Sequence, residues 1–154
     1  MKIRIYLDTS VIGGCYDDEF AFWSKKLFAE IHQGQKIAVV SDLTLDEIEK
    51  APQEVKNLLS SFKENEIEYV SLNDEAQQLA QSYLKHKAVS DKHLADAQHI
   101  AIATVERVDI LVSWNFKQIV NVNRIHLYNA VNLMLGYPML EIRSPREVLN
   151  EKEI

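Results

Sequence analysis

The chain has 154 residues, of which 47% are hydrophobic and 26% charged, with few glycines and prolines; this suits one folded domain with a real core and excludes a disordered or fibrous protein. Its single cysteine, Cys15, excludes an intrachain disulfide and a cysteine-based zinc site, and no apolar run approaches the roughly 20 residues that span a bilayer. A net charge of −6 excludes a broad, non-specific phosphate-binding surface, yet leaves open a negative site that reaches phosphate through a divalent metal. The strand-like start predicts no signal peptide, and with no membrane segment the expected setting is reducing and cytoplasmic.

Ile3 to Leu7 is a short apolar run that predicts a first strand, followed by Asp8, Thr9 and Ser10 at a turn. Phe20, Trp23, Leu27, Phe28 and Ile31 recur near helical spacing over 19–33, and Gly34 ends that helix. Lys36 to Val40 predicts a second strand ending in Ser41 and Asp42. Short helices follow over 43–50 and 53–63, the first stopped near Pro52. Ile67 to Leu72 predicts a third strand, and Asn73 is a good N-cap for a helix over 74–87. Ser90 or Asp91 can cap a helix over 92–106; a fourth strand spans 109–113, and a helix from about 124 to 135 stops at Gly136. Ile142 and Arg143 suggest a short last strand. Ser144-Pro145-Arg146-Glu147 then reads as a capping box with proline at the first helical position. Asn150 to Ile154 is polar and is expected to fray. Strands alternating with helices predict βαβ units and a mostly parallel sheet covered on both faces, without a domain boundary or internal repeat.

Asp8 carries the chemistry. A carboxylate at the carboxyl end of a buried strand stands where open parallel sheets build their sites. Burying it unpaired would cost several kcal/mol, so it needs a cation, or else it caps the helix or turn that follows. Two more acids occupy comparable places: Glu47 after the second strand and Asp96 on the helix leading to the fourth. Oxygen-only ligands of this kind favour Mg²⁺ or Mn²⁺ and metal-assisted phosphodiester hydrolysis. Each has a plainer reading. Glu47 also fits a capping box with Thr44, and Glu49 competes for its role. Asp96 borders a small-residue face of Ala97, Ile100, Ala101 and Thr104, which implies close helix packing and partial burial, but a surface charge remains open.

At the end of the fourth strand, Ser113 and Asn115 stand on the same presumed edge, where Asn115 can offer a neutral oxygen ligand or simply make a turn. Trp114 and Phe116 can stack bases or fill core. Lys92, His93 and His99 are candidates for contacting substrate phosphate, although a histidine on such a helix also serves packing. Basic pairs at Lys25–Lys26 and around Lys85–Lys87 are either strand-gripping groups or solvated helix faces.

Taken in order, Ile5-Tyr6-Leu7-Asp8-Thr9-Ser10, Ser41 with Glu47, Asp96-Ala97-Gln98-His99-Ile100-Ala101-Ile102-Ala103, and Leu111-Val112-Ser113-Trp114-Asn115-Phe116 resemble a PIN domain of the VapC-toxin type. The likeness covers residues 3 to about 148. It implies a PIN-like nuclease domain over 1–150 with a short tail over 151–154, a three-layer α/β/α fold with a mostly parallel five-stranded sheet, and Mg²⁺- or Mn²⁺-dependent endoribonuclease activity. By motif matching, Asp8, Glu47 and Asp96 are metal ligands, Thr9 or Ser10 supports the first acid, with Ser113 beside it, and Asn115 stands where relatives carry a fourth acid. That departure implies a weaker, one-metal site, or a retired enzyme kept as an RNA- or protein-binding module. The resemblance also implies a small antitoxin protein as partner, an RNA substrate, and a homodimer. A phosphatase with an aspartate nucleophile is disfavoured because Ser10 stands where its second acid belongs.

Overall fold

The computed structural model describes residues 2–150. Five parallel strands, β1 (Ile3–Leu7), β2 (Lys36–Ser41), β3 (Ile67–Val70), β4 (Ile110–Val112) and β5 (Glu141–Arg143), form one sheet in the order β3-β2-β1-β4-β5. Strand order therefore runs outward from β1 in both directions, which makes the gap between the carboxyl ends of β1 and β4 the topological switch point. Among the described residues the α-helices are α1 (Thr9–Gly13), α2 (Ala21–His32), α3 (Asp42–Ile48), α4 (Gln53–Ser60), α5 (Asp74–Lys85), α6 (Leu94–Val105), α7 (Val122–Met134) and α8 (Pro145–Val148).

Side-chain alternation along the strands divides the core into two layers. Tyr6, Val39 and Leu111 face the layer built from α5, α6 and α7; Ile5, Leu7, Ala38, Val40 and Val112 face the layer of α1, α2 and α4. The expected small-residue face of α6 is real: Ala97, Ile100, Ala101 and Thr104 are all buried, and α6 packs closely on α5. Gly34 and Gly136 sit just beyond α2 and α7 at φ +79° and +85°, a conformation an L side chain resists. The capping box forms between Ser144 and Glu147, with Pro145 at the first position of α8.

Of the helix or turn that Asp8 could cap, the helix forms: Thr9 and Ser10 open it, and a 3₁₀ turn over Gly14–Tyr16 continues it. One expectation is corrected here. Asn150 does not fray: its backbone N–H donates to Glu30, and its side chain accepts from Lys36 Nζ at 2.8 Å. The rest of the tail, 151–154, lies outside the described residues.

Candidate active site

Asp8 follows β1 with extended backbone (φ −78°, ψ 171°) and serves as the N-cap of α1. Its Oδ1 accepts from Ser10 Oγ at 2.6 Å and from the Val11 N–H at 3.2 Å; its Oδ2 accepts from Ser113 Oγ at 2.6 Å. The two serines are themselves fixed, because Ser10 Oγ accepts from the Trp114 N–H and Ser113 Oγ from the Asn115 N–H. The side chains thus tie β1 to β4 across the switch point. Asp8 is 4% exposed, and among the described residues no lysine or arginine pairs with it. Burial pushes its carboxyl above the usual range, against the charge of His99 and the three donors. The capping reading is therefore realised, and with it a buried acid held only by neutral hydrogen bonds.

Glu47 lies one turn too far along α3 to be a capping-box acid. Ser41 caps that helix, accepting from the Thr44 N–H at 3.2 Å. Glu47 instead bridges to the neighbours of Asp8: Thr9 Oγ1 donates to its Oε1 at 2.8 Å, and His99 Nε2 meets the same oxygen at 2.6 Å. Burial acts to raise its pKa, but the hydrogen bond and charge of His99, with Thr9, outweigh that and hold the carboxyl below the usual range. Glu49 lines an outer groove with Ile48, Lys56 and Tyr69 and has no such link.

Of the two readings of His99, phosphate contact and packing, the second is realised: it is an interior residue, 3% exposed, because its helix face packs on the sheet. A carboxylate only accepts, so Nε2 carries the proton towards Glu47. Nδ1 lies 2.7 Å from the Tyr6 hydroxyl, which also meets Ser41 Oγ at 2.7 Å. Burial raises the Tyr6 pKa strongly, so the phenol stays protonated; it accepts from Nδ1 and donates to Ser41 Oγ when the imidazole is charged, and donates to Nδ1 when the imidazole is neutral. Tyr6 and Ser41 stand within the motifs named above but were assigned no role in the site. The signal was available: a polar aromatic side chain at an inward position of a buried strand needs a partner for its hydroxyl.

Asp96 stands in the first turn of α6, with its side chain 22% exposed. Asn115 Nδ2 donates to its Oδ1 at 3.3 Å, and His93 Nδ1 lies 3.4 Å from its Oδ2. Burial raises its pKa; the charges of His93 and His99 and the Asn115 bond oppose this, and the negative charge of Glu47 adds to it. The Asn115 bond places Asp96 beside the carboxyl end of β4, where Ser113 links Asn115 to Asp8. The Asn115 Oδ1 is used within its own turn, accepting from the Lys117 and Gln118 N–H groups. Asn115 therefore works on Asp96 through its amide nitrogen, and the neutral oxygen ligand expected of it is committed elsewhere. His93 sits on the rim beside exposed Lys92. Trp114 is buried and stacked on Phe20, whereas Phe116 is half exposed.

The expected residues therefore gather at one sheet edge, though they do not form a ready-made cage: among the described residues no three acidic, histidine or cysteine side chains stand close enough to hold one ion directly. The donor chemistry nonetheless suits Mg²⁺ or Mn²⁺. Such ions keep several waters and need only one or two carboxylates, and the buried Asp8 lacks a cation of its own. Among the described residues no helix is long and apolar enough to cross a membrane.

No family model matches the chain, and no curated protein matches it. Solved structures do. The VapBC2 structure from Rickettsia felis, bound to a DNA fragment from their promoter, aligns with a TM-score of 0.58 at 14% identity over 92% of this chain and 98% of that one. VapC20 of Mycobacterium tuberculosis, a toxin that cleaves the sarcin-ricin loop, aligns with a TM-score of 0.58 at 12% identity over 73% of this chain and 91% of that one. At such identities the likeness shows the fold alone: this chain folds like these two toxin structures.

Proposed function

We propose that this protein is a divalent-cation-dependent endoribonuclease, the toxin of a toxin–antitoxin pair. The observation that carries the proposal is Asp8: a buried carboxylate at the switch point of a parallel sheet, gripped by Ser10, Ser113 and the Val11 N–H, with no cationic side chain paired to it among the described residues. Asp8, Asp96 and Glu47 are the residues that would hold Mg²⁺ or Mn²⁺. When bound, the ion supplies Lewis acidity toward a phosphodiester oxygen and toward water. The protein's own side chains do the positioning. Ser10 and Ser113 fix the orientation of Asp8, Thr9 and His99 fix Glu47, and Asn115 fixes Asp96. Lys92 and His93, on the rim, are the side chains placed to meet substrate phosphate. Among the side chains around this edge, none is both nucleophilic and freed from structural hydrogen bonds, which supports hydrolysis by water over a covalent intermediate.

The fold of the two toxin structures supports an RNA substrate and a small antitoxin protein as partner. A homodimer is part of the same proposal: Leu127, Leu133, Met134 and Met139 are exposed on and just beyond α7, an apolar surface that a second copy would cover. A cytoplasmic location accords with these partners.

A second reading, a binding module with a retired site, is favoured by Asn115 in place of an acid and by the engagement of Glu47 with His99. Cleavage of single-stranded RNA with millimolar Mn²⁺, compared between the natural chain and Asp8→Asn, decides between the two. Mn²⁺-dependent cleavage that Asp8→Asn abolishes supports the nuclease; cleavage undiminished in the variant overturns the site assignment, and no cleavage by the natural chain supports the module.

A further inference from the structure

Beside the acidic edge lies a cleft of about 430 Å³ walled by aromatic rings and carrying one guanidinium and one carboxylate. Trp114 and Phe20 form its floor, stacked at 4.2 Å between ring centroids and 14° between planes. Phe116 forms one wall, with its centroid 6.1 Å from Trp114 and 6.4 Å from Phe20, and 49% of its surface is open. Trp23 forms the opposite side, with the Arg146 guanidinium 4.8 Å over its ring. Glu19 stands at the rim.

The floor is rigid for identifiable reasons. Trp114 Nε1 donates to Ser24 Oγ at 2.9 Å, and Ser24 Oγ donates to the Val11 carbonyl. A Cβ added at Gly14 would lie 2.8 Å from both Trp114 Nε1 and Ser24 Oγ, so glycine is needed for the indole to seat there. The cleft also adjoins the acids. A neighbouring cavity, lined by Ser10, Gly13 and Asn115, shares Phe20 and Trp114 with it, and Phe116 directly follows Asn115 in the chain.

We infer that this cleft is a base-binding subsite, in which Phe116 stacks an unpaired nucleobase of single-stranded RNA next to the phosphodiester addressed by the acids. The inference rests on the nuclease reading above for the position of that phosphodiester. Ring faces supply sequence-tolerant stacking. Arg146 can donate to the acceptors of a base edge, and Glu19 can accept from its N–H groups. An apolar peptide side chain would use the rings but leave both charged groups unengaged, so a nucleobase fits the whole lining better.

The test uses the full chain, without divalent ion, and a mixed-sequence single-stranded RNA oligonucleotide. Binding is followed by fluorescence anisotropy of labelled RNA and by quenching of the tryptophan emission. Phe116→Leu keeps an apolar side chain at a half-exposed position, and a circular dichroism melt checks its fold. The variant is expected to bind the single strand about tenfold more weakly, with an unchanged salt slope because no phosphate contact is lost. An RNA duplex of the same sequence is expected to show no difference between the two proteins. Equal affinity of both proteins for the single strand overturns the inference, as does an equal loss on the duplex, or the absence of any RNA binding by the natural chain. Asp8→Asn is measured alongside. Loss of its cleavage with retained binding reports on the acids alone, so either idea can fail while the other stands.

Discussion

Two buried carboxylates in this molecule are treated in opposite ways. Glu30, on α2, is 6% exposed and receives the Lys36 ammonium at 2.6 Å, while the Asn150 N–H donates to both of its oxygens. Asp8 is equally buried and receives two hydroxyls and one backbone N–H, all neutral. The first arrangement supplies its own cation and closes a seam between α2, β2 and the end of the chain. The second leaves a formal charge at a switch point without one. A charge kept out of water at such cost, and left without an internal counter-ion, is what a cation-binding site requires and a structural ion pair does not.

The sharpest way to break this comparison is to neutralise each acid or its partner. Asp8→Asn should abolish RNA cleavage, by at least about three orders of magnitude, since charge stabilisation worth several kcal/mol is removed. The same variant should leave the metal-free fold no less stable at neutral pH. A carboxyl whose folded-state pKa is raised contributes stability that is lost as pH rises through that pKa, so removing its charge relieves a penalty. Lys36→Met should do the reverse. Stranding Glu30 should cost about 3–5 kcal/mol in a denaturant melt, and the double variant with Glu30→Leu should recover most of it, with cleavage per folded molecule unchanged. If Lys36→Met melts like the natural chain, the contrast between the two acids is lost.

A smaller effect is expected at His99. His99→Ala removes one of the two partners of the Tyr6 hydroxyl, at about 1–3 kcal/mol of stability, and lets Glu47 turn away. Cleavage should fall about 10- to 100-fold, as for other residues that orient a ligand, whereas His99→Gln, whose amide can still donate to Glu47, should recover part of it. A fall in stability with no fall in cleavage per folded molecule would make His99 purely structural.

How much of this was legible beforehand follows from which contacts are local. Alternation of apolar runs with helical periodicity, Gly34 and Gly136 as stops, and the Ser144–Glu147 box are signals contained within a few residues, and all of them match the fold. Asp8, Glu47 and Asp96 were visible because each stands at the sheet edge that the βαβ alternation defines. The segment after Asp8 was open between helix and turn because Thr9-Ser10-Val11-Ile12-Gly13 carries too little periodicity to decide. The Tyr6–His99–Glu47 chain and the Asn150 clasp join residues far apart in sequence, so no local pattern announces them. Asn115 was seen, but its oxygen was assigned outward. The two N–H groups that follow it claim that oxygen first, as in an ordinary Asx turn.

The smallest effect is also the most direct probe of the acidic edge. Mn²⁺ or Mg²⁺ binding only to the folded protein should raise its melting temperature, with a stabilisation of about 1.4 kcal/mol at tenfold excess over Kd, readable by thermal shift without any RNA present. The pH dependence of that shift follows from the three acids. Asp8 and Asp96 have raised pKa values, so protons compete with the ion at these sites more strongly than at ordinary carboxylates. Glu47 is lowered and stays ionised further into the acid range. The ion-dependent shift should therefore grow as pH rises and fade on acidification at a higher pH than ordinary carboxylates would dictate. Asp8→Asn should lose most of it, and Lys36→Met should keep it. A shift that persists undiminished in Asp8→Asn would place the cation elsewhere on the molecule and leave Asp8 as no more than the cap of α1.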